Sequence, residues 1–249
     1  MQLTQEQLRK VNSATKYPSI PTYHKLGEKG RLIEENIKFE QPVIVTEKID
    51  GTNARIIFWD DGYIIGSREE LLYAKGDLII NPALGIVETL KPIADNFDKF
   101  DFNYCVLYFE VYGGKVTSAS KQYSTNSLLG CRLFDIAEIP LAIIANEIAE
   151  IASWRDNGGQ HFWDERSMSG FVEVYKLSLV PRIHTSWIPP DEIELMYSDL
   201  KTLLPKSLSC LDNQAQGKPE GIVIRTKSRS QIAKIRYEDY EKWAKLTLT

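Results

Sequence analysis

One lysine stands where covalent chemistry could be done. It ends an apolar run and is followed at once by Asp-Gly and polar residues, in Thr46-Glu47-Lys48-Ile49-Asp50-Gly51-Thr52-Asn53. A free lysine amine has a pKa of about 10.4 and is a poor nucleophile at neutral pH. Nearby cations or desolvation make it easier to deprotonate. The same octet also reads as a β-turn whose lysine points to solvent, so the rest of the chain must decide.

Lys234-Ile235-Arg236 lies in a β-prone run, which puts Lys234 and Arg236 on one face. Two cations on one face form a clamp for phosphate oxygens, or else the solvated face of an amphipathic strand. Upstream, Glu220-Gly221-Ile222-Val223-Ile224-Arg225 sets a carboxylate at the start of an apolar strand. The glycine after it lets the chain approach a ligand closely, unless the pair is an ordinary turn. Glu110 interrupts Val106-Leu107-Tyr108-Phe109-Glu110-Val111-Tyr112. An acid there costs desolvation if its face is buried, so either that face is wet or Glu110 has a partner.

In this order the segments resemble the motifs of RNA ligases in the covalent nucleotidyltransferase superfamily, which also holds DNA ligases and mRNA capping enzymes. Lys48 to Asn53 resembles the nucleophile motif K-x-x-G-x-N, and Gly66-Ser67-Arg68 the short serine-arginine motif. Phe109 to Gly113 is similar to the glutamate motif, and Leu133-Phe134-Asp135-Ile136 to the aromatic strand after it. Glu220 to Arg225 resembles E-G-x-V, and Lys234 to Arg236 the closing K-x-K. Asn53, where DNA ligases and capping enzymes have arginine, favours the RNA ligases, and the phage-type nick-sealing branch is most similar.

The resemblance implies an ATP-dependent RNA ligase that joins 3′-OH and 5′-phosphate ends, including those of nicked duplexes. It also implies a lysyl-AMP on Lys48, an adenylylated RNA 5′ end, and magnesium with manganese as a substitute ion. Lys234 and Arg236 would grip the α-phosphate, Phe134 stack on adenine, and Glu110 hold the ribose hydroxyls. Arg68 would contact ribose or phosphate, and Glu220 the metal, directly or through water. Asn53 would position the adenylylated end, and Thr46 and Glu47 contact adenine, partly through the backbone. Two other readings are a non-catalytic nucleotide- or RNA-binding relative and a GTP-using capping-type transferase. Arg236 departs from the family's usual lysine; it keeps the charge but is planar and bidentate.

The elements expected to position these residues mix short strands and helices. Leu3 to Val11 reads as a helix capped by Thr4, with Gln7 three residues on. Strands are expected at Pro42 to Lys48, Ala54 to Trp59, Tyr63 to Arg68, Tyr104 to Tyr112 and Arg132 to Ile136. Phe171 to Leu179, Ile222 to Thr226 and Gln231 to Tyr237 read as further strands. Asp61-Gly62 reads as a hairpin turn. Helices are expected at Pro82 to Phe97, Leu141 to Trp154, Asp191 to Leu204 and the chain end. The pattern argues for an α+β fold of antiparallel sheets flanked by helices, which the resemblance identifies as the nucleotidyltransferase domain of ligases.

The chain has 249 residues and a net charge of −4. One domain over 1–249 is expected, without the C-terminal OB or helical module of the relatives, so RNA would meet this domain's surface or a module supplied by a separate protein. Residues 1–31 carry six basic and two acidic side chains and 218–236 six and one, against 16 and 28 in 32–217. That asymmetry can hide a polyanion-binding face in an acidic protein. The basic N-terminal stretch combines aromatics, prolines and cations, which suits phosphate contacts and stacking. Lys16, Tyr17, His24, Lys25 and Arg55 are the expected RNA contacts. Three scattered cysteines and three scattered histidines give no metal or redox motif. The absence of a long apolar run excludes a transmembrane helix. A cytoplasmic setting is expected, or that of a viral protein acting in the host cytoplasm.

Overall fold

The computed structural model describes residues 3–59, 62–75, 78–79, 85–97, 104–215 and 217–247. The described strands are β1 (His24–Leu26), β2 (Leu32–Asn36), β3 (Val43–Lys48), β4 (Thr52–Trp59), β5 (Gly62–Ser67), β6 (Leu71–Ala74), β7 (Leu78–Ile79), β8 (Cys105–Gly113), β9 (Leu129–Glu138), β10 (His161–Phe162), β11 (Arg182–Trp187), β12 (Gly221–Arg225) and β13 (Ile232–Arg236). The described α-helices are α1 (Gln5–Thr15), α2 (Ile86–Asp95), α3 (Ser120–Tyr123), α4 (Ile148–Asp156), α5 (Glu165–Tyr175), α6 (Ile193–Leu203) and α7 (Tyr237–Thr247). They build a seven-stranded sheet in the order β10-β9-β8-β4-β5-β6-β7 and a four-stranded sheet in the order β11-β3-β12-β13. A small β1-β2 hairpin stands apart, and the strand pairs are antiparallel. The α+β expectation is met.

Alternation along the strands of the smaller sheet divides its two faces. Val43, Val45, Ile222, Ile224, Ala233 and Ile235 are buried against Ile193, Met196 and Leu200 of α6 and Tyr237 and Tyr240 of α7. Burying an aliphatic side chain contributes about 1.5–3 kcal/mol, which pins this register. The residues between them, Thr46, Lys48, Val223, Lys234 and Arg236, are turned to the other face by the two-residue period. In the larger sheet, Leu107, Phe109 and Val111 of β8 are buried with Leu90 of α2 and Met168 and Phe171 of α5. Glu110 falls on the opposite side.

Thr4 caps α1 as expected, in a reciprocal box with Gln7. Two other expectations are corrected. Phe171 to Leu179 is not a strand, because Asp164 accepts a hydrogen bond from the Ser167 amide and starts α5. Met168, Phe171, Val172 and Tyr175 then fall at helical spacing, a pattern that overrides the apparent alternation. Leu141 to Trp154 is not one helix. A 3₁₀ turn over Leu141–Ala145 ends at Asn146, and Glu147 restarts the chain as α4 through a capping box with Glu150. Asp61 of the expected hairpin turn and Pro82 of an expected helix start lie outside the described residues.

Candidate active site

The concave faces of the two sheets enclose a cavity of about 510 Å³. The smaller sheet supplies Thr46, Lys48, Val223, Lys234 and Arg236; the larger one supplies Asn53, Glu110 and Phe134. Cross-strand register explains the cation cluster. Lys48 is paired with Gly221, and Gly221 with Arg236; Thr46 is paired with Val223, and Val223 with Lys234. Segments nearly 190 residues apart in the chain thus sit two strands apart.

The Lys48 amine donates to Glu220 Oε2 at 2.6 Å, so candidate nucleophile and candidate metal ligand form an ion pair. Burial holds the Glu220 carboxyl above its usual pKa, against the pull of Lys48. Lys234 has no ion-pair partner among the described residues. Its pKa is lowered by burial first, then by repulsion from Arg236 and Lys48. Arg236 is different: its guanidinium is gripped by Asp239 at 2.9 and 3.0 Å and contacts Glu238 at 2.6 Å. The arginine in place of the family's lysine therefore brings a carboxylate clamp from the first turn of α7.

The turn that presents Lys48 is fixed from β8 of the larger sheet and from α3. The Gly51 amide donates to Glu110 Oε1 at 3.1 Å, and the Asp50 amide donates to the Tyr123 hydroxyl at 2.7 Å. A Cβ at Gly51 would lie 2.4 Å from the Val111 carbonyl oxygen. Gly51→Ala is therefore expected to destabilise the protein by about 2 kcal/mol or more, because rigid backbone must move. Thermal unfolding measures this directly. Gly221 is required for a similar reason, since Ile235 O would lie 2.0 Å from its Cβ. The close approach there is to the neighbouring strand, not to a ligand.

Burial pushes the Glu110 carboxyl up to about 8, with Lys48 opposing the rise. The folded protein then holds a proton that the unfolded chain, titrating near 4.5, has released. Stability should fall as pH rises from about 4.5 to about 8, since the native state binds more protons across that window. Melting curves across this range should slope less for Glu110→Gln than for wild type.

Phe134 reaches the cavity through a β-bulge. The β8–β9 register jumps from Tyr108–Asp135 to Phe109–Leu133, leaving Phe134 without a cross-strand partner. A bulge of this kind re-aims a side chain. Phe134 lies beside Tyr17, whose ring meets it edge-on at 4.9 Å. The Asn53 side-chain oxygen is buried with no hydrogen-bond partner, an orphan acceptor on the cavity wall. Such a group costs free energy unless a ligand satisfies it.

Several expected contacts are corrected. Glu47 is on the core face of β3, and its carboxylate accepts from Ser207 Oγ, Ser209 Oγ and the Leu208 amide at 2.5, 2.7 and 3.0 Å. Its carboxylate is therefore taken by these three donors and is not free for a ligand. His24 is fully buried. Its Nε2 is 2.7 Å from the Asp191 carbonyl, which can only accept, so Nε2 carries the proton and Nδ1 accepts from the Tyr240 hydroxyl at 2.6 Å. Arg55 is also fully buried. Neither presents a surface to RNA. Lys25 is exposed and pairs with Glu35 on the β1-β2 hairpin. Lys16 pairs with Glu69, and Arg68 projects from the turn after β5 at the cavity rim. Tyr17 lines the wall, its hydroxyl donating to Asp135 and accepting from Arg229. Tyr123, Ser207 and Ser209 went unrecognised in the sequence, because only the fold brings them to the motifs; Asp239 is local, three residues after Arg236, and the start of α7 turns it onto the guanidinium.

A family model described as RNA ligase matches residues 41–247. The chain belongs to the RNA ligase family. No curated protein matches this family member. Among solved structures, Naegleria gruberi RNA ligase with PPi shares 16% identity at a TM-score of 0.56, over 82% of this chain and 52% of that one. A lysine-to-alanine mutant of it with ATP and Mn gives 16% and 0.55, over 82% and 51%. An aspartate-to-alanine mutant without ligand gives 15% and 0.58, over 92% and 61%. The family member thus spans about half the length of the first solved ligases it matches, and at this identity they show the fold.

Among the described residues no three His, Cys, Asp or Glu side chains cluster as a metal cage. Asp50, Glu110 and Glu220 do line the same cavity. That donor set suits a magnesium-type ion held by one carboxylate, waters and substrate phosphates. No helix among the described residues is long and apolar enough to cross a membrane.

Proposed function

We propose that this chain is an ATP-dependent RNA ligase that joins 3′-OH and 5′-phosphate ends through a lysyl-AMP on Lys48. The observation that carries the reading is the pair of lysines on one sheet face. Lys48 is the amine, and Lys234, unpaired and two strands away, is a cation left for the α-phosphate. Support also comes from solved mutants of Naegleria gruberi RNA ligase, one with ATP and Mn and one with AMP and Mn.

In the first step the Lys48 nitrogen attacks the α-phosphorus of ATP. The bond to the bridging oxygen breaks, pyrophosphate leaves, and the amine gives up its protons to solvent. Lys234 and Arg236 stabilise the charge growing on the phosphoryl oxygens. In the second step a 5′-phosphate oxygen of RNA attacks the same phosphorus, the P–N bond breaks, and Lys48 is reprotonated beside Glu220. In the third, a 3′-OH attacks the RNA phosphorus, losing its proton, and AMP departs. Glu220, with Asp50 and Glu110 nearby, would hold magnesium or manganese, which neutralises phosphoryl charge when bound. Phe134 would cover the adenine, Glu110 accept from the ribose hydroxyls, Arg68 contact ribose or phosphate, and the Asn53 amide position the adenylylated end.

Labelled ATP with magnesium is expected to leave label on Lys48, with excess unlabelled ATP competing and GTP not. Tight ATP binding without an adduct would sink the catalytic reading; a GTP adduct would replace ATP with GTP.

A further inference from the structure

Next to the nucleotide cavity a groove of about 580 Å³ runs between α1, the turn after β5, and α4. It is continuous with the cavity, since Tyr17, Pro18, Ser19 and Arg68 line both. Its charged walls are Arg9, Lys16, Arg68 and Arg155 against Glu69 and Asp156. Lys16 is paired with Glu69 at 2.6 Å and Arg155 with Asp156 at 2.8 Å. Arg9 is exposed and has no ion-pair partner among the described residues; Arg68 lies 3.6 Å from the already paired Glu69.

The buried Arg55 belongs to this groove from below. Its guanidinium donates only to uncharged oxygens: Thr15 Oγ1, Asn12 Oδ1 and O, and the Ser67 and Arg68 carbonyls. It therefore ties the end of α1 to the turn bearing Arg68, and no carboxylate hydrogen-bonds to it, the nearest opposing charge being Glu69 of the same groove. Four cations face two acids along a channel that opens at the Lys48 cavity, and Arg55 adds its charge from beneath the wall. A spread surplus of this kind suits repeated phosphates rather than one small anion.

We propose that this groove holds the phosphate backbone of the 5′-phosphorylated RNA strand and leads its end to the adenylylated lysine. The inference deepens the ligase reading and rests on it for the strand's identity. Arg9 and Lys16 carry the contact; Arg55 is a positioning residue that sets the groove's shape and field.

The test is direct binding of a 5′-phosphorylated RNA oligonucleotide by fluorescence anisotropy over a range of salt, beside self-adenylylation without RNA. The doubly neutral variant Arg9→Gln/Lys16→Gln should bind about tenfold more weakly at low salt, and its log–log salt slope should be shallower by about 1.4, two phosphate contacts on a single strand. Its self-adenylylation should stay within about twofold of wild type, because neither residue lines the nucleotide cavity. Glu69→Gln should bind RNA about threefold more tightly by freeing Lys16, a gain no misfolded protein could show. Unchanged affinity and slope in both variants overturn the proposal. Equal loss of RNA binding and self-adenylylation in the double variant, with no gain in Glu69→Gln, also overturns it. If wild type forms no AMP adduct yet the variants move RNA affinity as stated, the ligase reading fails and the groove stands. Equal effects on DNA of the same sequence would assign the contact to phosphate, with the ribose excluded.

Discussion

Incubated with labelled ATP and magnesium, Lys48→Ala is expected to take up no label, and joining of RNA ends should fall by at least about 10⁴, the scale on which removing a covalent nucleophile acts. Lys48→Arg should fail equally, since a guanidinium does not deprotonate to a nucleophile at workable pH. The fold should survive both. The Lys48–Glu220 pair is 25% and 22% exposed, so breaking it should cost about 1 kcal/mol rather than the 3–5 of a fully buried pair. Calorimetry should therefore find a folded protein that is silent only in chemistry. A second arm isolates the step. Given RNA already carrying AMP on its 5′ end, Lys48→Ala should regain joining, because the lysine's bond-making is complete in that substrate. Label on Lys48→Ala, or its failure on pre-adenylylated RNA, would remove Lys48 from the role assigned to it.

The strands that carry the motifs were legible in the sequence for a physical reason. Ile232 to Arg236 alternates in burial, so the face of Lys234 and Arg236 follows from buried Ala233 and Ile235, whereas Val43 to Glu47 is buried on both faces and only Lys48 at its end is partly exposed. Glu110 was legible as an anomaly, an acid in an apolar strand, and its partner proved to be the Gly51 amide in the turn after Lys48. What could not be read depends on distant chain. Arg55 looked like a surface cation next to the motif; its burial is decided by Asn12 and Thr15 of α1, 40 or more residues away. Glu47 looked available because Ser207 and Ser209 lie 160 residues downstream. Phe171 to Tyr175, expected as strand, belongs instead to α5, which Asp164 caps upstream and a left-handed Lys176 ends before Leu177 to Leu179.

Lys234→Ala is the second large effect, and it should separate activity from stability. Its ammonium makes no ion pair among the described residues, while its backbone amide donates to Pro21 O and its carbonyl accepts from the Tyr23 amide. Truncating the side chain leaves those backbone bonds in place and no carboxylate unpartnered. It also removes a desolvated cation held beside Arg236 and Lys48. Removing a repelled charge should leave the melting temperature unchanged or raise it slightly, as with other residues whose stability cost serves function. Adduct formation should nevertheless drop by about 10²–10³, because one preorganised donor to the developing phosphoryl charge is worth about 3–4 kcal/mol. Arg236→Ala should behave differently. It strands Asp239, a carboxylate only 11% exposed, so activity and stability should fall together. A Lys234→Ala protein that melts several degrees lower would mean that the lysine supports the sheet, and the phosphate-gripping role would have to pass to Arg236 alone.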